Sequence, residues 1–240
     1  MAKSQKKSKK NRKQQTRNNS SATGWVFGGV VVIAVIILLF IFLGNNSNPG
    51  EEETVFDYEN QPFMGEESAP VKIVEFGDYK CPVCKNFNES FVPQVKKELI
   101  ETGKAKFYFI NYPFINVDST RSAKFAEAVY LELGDKTFWK FHDLLFEKQP
   151  EDPQYEKQDI FTKDFLIETL KEVADEGEVD KVVQTFESEK AEEQVAKDLA
   201  IVKELGVNST PTVYINGKRF EGNTTQDFMD MVNEAAGEKE

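Results

Sequence analysis

Three short β-forming runs constrain this chain more than any other feature, because of where they fall. Residues 71–76 (VKIVEF) are an apolar run bounded by Pro70 and Gly77, as a buried strand would be. Residues 104–112 (KAKFYFINY) alternate in the period of a second strand. Residues 213–215 give a third, ending at Asn216-Gly217, a hairpin signal, with Arg219-Phe220 opening a returning strand. Between the first two lies a helical segment, 86–102, stopped by Gly103 and kinked at Pro93. Thr224 or Thr225 caps a last helix through Phe228, Met229 and Val232. Between the second and third strands every pattern is helical. Ser119 caps a run ending at Gly134, and Phe138, Phe141 and Leu145 mark the next. Phe161 to Val173, Val179 to Phe186 and Val195 to Leu205 continue the series. Such stripes pack cores. The order is thus β-α-β, a block of helices, then β-β-α.

The charge is equally uneven. Residues 1–24 hold eight basic side chains and no acid, leaving 22 basic and 41 acidic ones for the rest. The body therefore carries −19 within a whole-chain net of −11. So acidic a body would repel a phosphate backbone, which excludes nucleic acid as a partner. After the basic tail, residues 25–43 (WVFGGVVVIAVIILLFIFL) contain no charge and no proline. Nineteen helical residues span roughly 28 Å, about the apolar thickness of a bilayer. With the basic residues on its N-terminal side, this run is expected to be a signal anchor, its N-terminus cytoplasmic and the body extracytoplasmic. A cleaved signal peptide is the competing reading, though no A-x-A pattern follows the run. Residues 44–53 read as a flexible linker.

The chain's two cysteines form Cys81-Pro82-Val83-Cys84, after the first strand and at the start of the first helix. Unpaired N–H groups and the positive dipole end of a helix stabilise a thiolate there. Pro82 suits a first turn, where its missing donor is not needed. Cys81 is then the exposed nucleophile and Cys84 the resolving thiol. A structural disulfide would close too short a loop to stabilise much. A zinc site lacks ligands, with two cysteines and one histidine in the chain. Acidic clusters such as Glu51–Glu53 and Glu66-Glu67 lack EF-hand spacing, so no metal is expected.

Ser209-Thr210-Pro211-Thr212 directly precedes the third strand. Proline cannot donate to a central ladder. One reading is a cis Thr210–Pro211 bond that turns the Thr210 backbone toward the sulfurs and offers main-chain groups to a peptide. The other is an ordinary trans proline opening an edge strand. His142, the sole histidine, lies on an aromatic stripe and reads as a packed core residue. The N-x-S/T triplets at Asn88, Asn208 and Asn223 read as fortuitous.

The stretch VKIVEFGDYKCPVC (71–84), the run FWKFHDLLF (138–146) and GVNSTPTV (206–213) together resemble the DsbA-like thiol–disulfide oxidoreductases, most nearly their membrane-anchored Gram-positive BdbD type. The resemblance covers roughly residues 60–237. It implies an α/β thioredoxin-like fold with an inserted all-helical domain, preceded by one N-terminal transmembrane helix. The expected division is a basic cytoplasmic tail (1–24), the anchor (25–43), the linker (44–53), the thioredoxin-like domain (54–115 and 191–240) and the insertion (116–190). It implies that Cys81 is the attacked cysteine, Cys84 its partner in a redox-active disulfide, and Pro211 a cis-proline preceded by Thr210. Thr210, Pro82 and Val83 would meet substrate. Glu75 matches an acidic position beneath the disulfide, which would accept or deliver the Cys84 proton. Pro82-Val83 stands where the best-known members carry Pro-His, which removes one stabiliser of the Cys81 thiolate. The thiol is nevertheless expected between the DsbA and thioredoxin values of about 3.5 and 7, nearer the former.

The implied activity is dithiol oxidation of reduced secreted or surface proteins, without a cofactor, with a DsbB-like quinone-linked membrane partner as reoxidant. Two alternatives use the same residues: a disulfide reductase, for example in cytochrome maturation, and a non-enzymatic peptide-binding or chaperone domain.

Overall fold

The computed structural model describes residues 57–237. The basic tail, the apolar run 25–43 and the linker lie outside the described residues. Among those described, no helix is long and apolar enough to cross a membrane.

Five strands form one sheet in the order β1-β3-β2-β4-β5: β1 (Phe63–Met64), β2 (Val71–Gly77), β3 (Ala105–Asn111), β4 (Thr212–Ile215) and β5 (Lys218–Arg219). β2 runs parallel to β3 and antiparallel to β4, so Glu75 at mid-strand lies opposite Phe109 on one side and Val213 on the other. The two-residue β1, antiparallel to β3, was not expected; it is too short to carry a periodic signal. The returning strand is β5, one residue earlier than expected. Asn216 (φ 45°) and Gly217 (φ 81°) both take the left-handed backbone that a tight hairpin of this hand requires. Phe220 leaves the strand and packs edge-on against Phe228.

The first helix begins at Pro82, where the Cys81-Pro82-Val83-Cys84 motif was expected to open it, and it joins the helical segment expected from residue 86. α1 (Pro82–Asn86) continues through a π turn (Phe87–Phe91), α2 (Val92–Val95) and a second π turn (Lys96–Ile100). Pro93 sits in the first turn of α2, and the widened turn before it accommodates the missing donor. Between β3 and β4 lie α3 (Val117–Glu147), a 3-10 turn (Pro153–Lys157), α4 (Lys163–Leu170), α5 (Glu176–Glu187) and α6 (Glu189–Glu204), with α7 (Thr225–Ala235) after β5. The two helices expected over 119–146 are both present within α3, separated at Gly134, whose backbone (φ 70°, ψ −178°) is not helical. Asn116, not Ser119, caps it: Ser119 is the reciprocal third residue of a capping box, accepting from the Asn116 N–H at 3.2 Å. Thr224 caps α7 in the same way with Asp227.

Alternation along the sheet divides the interior. Val71 and Ile73 of β2 with Phe107 and Phe109 of β3 join the larger core, to which each of α1–α7 contributes. Val74, Phe76, Tyr108 and Ile110 face a smaller one with Val202 and Val207. Glu75 shares the face of Ile73, so the period of two aims a carboxyl into the larger apolar core. A buried polar cluster ties α3 and α6 to the sheet. Gln61 Nε2 donates to Asp198 Oδ1 at 2.8 Å, and Asn111 donates to both Asp198 Oδ2 and Glu127 Oε1. Burial raises the pKa of both acids.

Candidate active site

Cys81 is itself the N-cap of α1. Its backbone is extended (φ −82°, ψ 117°), and its sulfur accepts from the Cys84 N–H at 3.3 Å, the bond a serine or aspartate oxygen makes at other helix starts. The side chain that caps the helix is thus the one that profits from carrying charge. The thiol is held down to about 6, foremost by a hydrogen bond from the Cys84 thiol, against the opposing effect of burial; Thr210 and the N–H groups of Cys84 and Val83 add to it. That value lies within the expected interval between DsbA (about 3.5) and thioredoxin (about 7). No cation is among its causes, and Val83 brings none.

The expected exposure of Cys81 is corrected. Cys81 is 5 % accessible and Cys84 is 0 %. Both are free thiols. Burial pushes the Cys84 thiol far up, with the Cys81 hydrogen bond and the Glu75 charge acting in the same direction. The two sulfurs therefore differ in proton affinity as attacking and resolving thiols should.

The Thr210–Pro211 peptide bond is cis, and the Thr210 carbonyl oxygen lies 3.5 Å from Cys81 Sγ. The loop is closed from below by Thr212 Oγ1, which donates to the Ser209 carbonyl at 2.8 Å. Pro82 fills the first turn of α1, and Val83 is 60 % exposed beside the sulfurs.

Glu75 is fully buried. Burial raises its carboxyl to about 8; Asn88 opposes this, and the Cys81 charge adds to it. Asn88 Nδ2 donates to Glu75 Oε1 (3.0 Å) and Oε2 (3.3 Å), and to the Cys84 carbonyl (3.0 Å). On its other side Asn88 Oδ1 lies 3.0 Å from His142 Nε2, and His142 Nδ1 lies 3.0 Å from the Tyr79 hydroxyl. Sequence reasoning saw Asn88 only as part of a glycosylation triplet. Its signal was weak: a polar residue four positions after Cys84, on the same helical face.

The backbone leading into Cys81 is pinned by residues the sequence reading passed over. Asp78 accepts from Lys80 N at one oxygen and from Phe114 N and Ile115 N at the other. Gln149 Nε2 donates to the Tyr79 carbonyl at 2.6 Å, and Tyr155 donates from its hydroxyl to Gln149 Oε1. Lys80 is wholly buried, paired with Asp118 at 3.0 Å, and donates to the Tyr155 and Gln158 carbonyls at 2.8 Å each. The motif residue Lys80 thereby ties the site to the start of α3 and to the 3-10 turn. Among the described residues no group of three or more His, Cys, Asp and Glu side chains converges as a metal centre would.

Comparison with known proteins agrees with this geometry. A family profile described as thioredoxin matches residues 57–234. The chain is 37 % identical over 163 residues to a protein of Bacillus cereus named probable disulfide bond formation protein D, spanning 68 % of this chain and 73 % of that one. It is 37 % identical over 158 residues to disulfide bond formation protein D of Bacillus subtilis, spanning 66 % and 68 %. The crystal structure of oxidised BdbD from Bacillus subtilis superposes with a TM-score of 0.69 at 32 % identity, covering 75 % of this chain and 95 % of that one. DsbA of Chlamydia trachomatis, at 19 % identity and a TM-score of 0.63 over 76 % and 93 %, shares the fold. An asymmetric pair of thiols at a helix start beneath a cis-proline loop, on this sheet and in this company, places the chain among the DsbA-like thiol–disulfide oxidoreductases of the thioredoxin family.

Proposed function

We propose that this chain introduces disulfide bonds into reduced secreted or surface proteins, working outside the cytoplasmic membrane from an N-terminal anchor at residues 25–43. The observation that carries the direction is the asymmetry of the sulfurs, Cys81 held to about 6 and Cys84 pushed far up. Stabilising the Cys81 thiolate stabilises the dithiol, which makes the disulfide the better oxidant. A client thiolate attacks Cys81 Sγ of the disulfide, the S–S bond breaks, and Cys84 leaves and takes a proton. A second client thiolate then attacks the client sulfur of the mixed disulfide and releases Cys81 as thiolate.

Exposed apolar side chains on the segments that meet the site support unfolded protein as the client. Val83 is 60 %, Phe114 51 % and Val117 59 % accessible. Thr210, with its carbonyl beside the sulfur, supplies a main-chain acceptor for an extended peptide, with Pro82 and Val83 on the facing rim. Reoxidation is assigned to a quinone-linked membrane partner of the DsbB type, which an N-terminal anchor would keep close.

Replacement of Cys81 by Ser should abolish oxidative refolding of a reduced secreted substrate; undiminished refolding rules the scheme out. The Cys81–Cys84 couple should have a potential of about −120 to −180 mV, whereas a value near about −270 mV identifies a reductase. Peptide binding that survives replacement of both cysteines, with no exchange in the native protein, would favour the chaperone reading.

A further inference from the structure

The hydrogen-bond chain behind Glu75 has one possible direction. The Cys84 carbonyl accepts only, whatever the charge on Glu75, so the Asn88 atom 3.0 Å from it is the amide nitrogen. Asn88 Oδ1 therefore faces His142, and an oxygen that only accepts requires a proton on Nε2. His142 is fully buried, and burial lowers its pKa to about 3, so the ring is neutral and carries a single proton. Nδ1 is then bare and accepts from the Tyr79 hydroxyl. Amide orientation and the Nε2 proton follow from one carbonyl, and the hydroxyl direction from the neutral ring.

We propose that His142 is a positioning residue for thiol–disulfide exchange: through Asn88 it locks an N–H donor onto Glu75, and so sets the pH at which that carboxyl exchanges a proton with Cys84. The proposal rests on the reading of Cys81-Cys84 as a cycling pair. When the disulfide opens, the Glu75 carboxyl gives its proton to the departing Cys84 sulfur and becomes a carboxylate. When the dithiol is reoxidised, the carboxylate takes that proton back. The Asn88 donor stabilises the carboxylate, the product of the first transfer. Without the His142 proton, Asn88 Oδ1 loses its partner, and the amide, then held only through its nitrogen by the Cys84 carbonyl and Glu75, can turn toward the groove it borders. The carboxylate then loses its donor, and its proton affinity rises further.

Other charges act on this site but stay constant between variants. Cys81 and Cys84 face Glu75 from α1, and Glu127 and Asp143 of α3 with Asp198 of α6 act on Tyr79. β3 and β4 present Phe109 and Val213 opposite Glu75, neither of which titrates. On the groove side, Glu89, Lys96, Lys136, Lys140 and Glu147 share the lining with Asn88.

Because His142 is the only histidine in the chain, nitrogen-15 NMR of the histidine-labelled full-length protein reads its tautomer without assignment. Nε2 should carry the proton, unchanged from about pH 5 to 8. A proton on Nδ1, or a ring that titrates in that range, overturns the proposal. Exchange of the disulfide form with a model thiol, followed against pH, should show a limb that Glu75→Gln removes. In His142→Leu that limb should move up by about half a pH unit or more, and in His142→Gln, which keeps a donor at the Nε2 position, it should return. A limb that stays in place in His142→Leu, or is absent from the native protein, also overturns the proposal. Should His142→Leu fail to fold, the tautomer and the glutamine variant still decide. Exchange that persists in Cys81→Ser would instead sink the functional reading and leave the tautomer result intact.

Discussion

At the scale of single residues, two groups displaced in opposite directions make the stability depend on pH. Glu75 is raised from 4.5 to about 8, so the unfolded chain releases this proton first as pH climbs. Its contribution to stability is complete below 4.5 and is lost as pH rises through 8. Cys81 is lowered from 9 to about 6, so its contribution is present above 9 and is lost as pH falls through 6. The two oppose each other between 6 and 8 in the dithiol form, and of this pair only Glu75 acts in the disulfide form. There Glu127 and Asp198, also raised by burial, add to the same fall, and His142, lowered by burial, opposes it below 6.5. Urea titrations of the disulfide form should therefore show stability falling from pH 5 to pH 8, with the Glu75 share of the slope at most about 1.4 kcal/mol per pH unit. Glu75→Gln should remove that share and be the more stable protein at pH 8. A wild-type and variant slope that coincide would show that the carboxyl does not titrate there.

At the scale of elements, the start of α1 and the neighbours of β2 decide what the site can do. The helix begins where it does because a sulfur can cap it, which puts Cys84 at the third helical position. Phe109, opposite Glu75 on β3, packs against Tyr79, His142 and Phe146 with ring centroids 5.4, 4.6 and 6.3 Å away. A Cβ at Gly77 would collide with the Phe109 ring, so the glycine lets β2 pass directly beneath it. Phe109→Ala should cost about 3–5 kcal/mol of unfolding free energy, measured by urea denaturation. A loss under about 1 kcal/mol would show that these rings do not pack as described.

At the scale of the whole molecule, the block of helices is joined to the sheet by polar bonds as well as by its core. The Lys80–Asp118 pair, with both side chains at 0 % exposure, spans from the residue before Cys81 to the first turn of α3. Asp118 also accepts from Ile160 N and Phe161 N, so one carboxylate gathers three segments. Lys80→Met should destabilise by about 3–5 kcal/mol, because it leaves a buried carboxylate unpaired, while the double change Lys80→Met with Asp118→Leu should recover part of that loss. Equal destabilisation by the single and double variants would argue against a coupled pair.

The order of strands and helices, the hairpin at Asn216-Gly217 and the pair Cys81-Cys84 were legible in the chain because each is local: periodicity, turn chemistry and a three-residue spacing need no partner distant in sequence. Glu75 was found by resemblance, and for Pro211 the resemblance chose between the cis and trans readings the sequence left open, since a lone acid in a strand and a proline before one have several local explanations. What the fold alone decided is contact across long separations. Asn88, His142 and Tyr79 meet only when α1, the π turn after it and α3 close over β2. Lys80 finds Asp118 only when the chain between them has folded back. Whether a buried polar side chain is inert or sets the proton affinity of its neighbour depends on the atom 3 Å away, and no one-dimensional pattern specifies that atom.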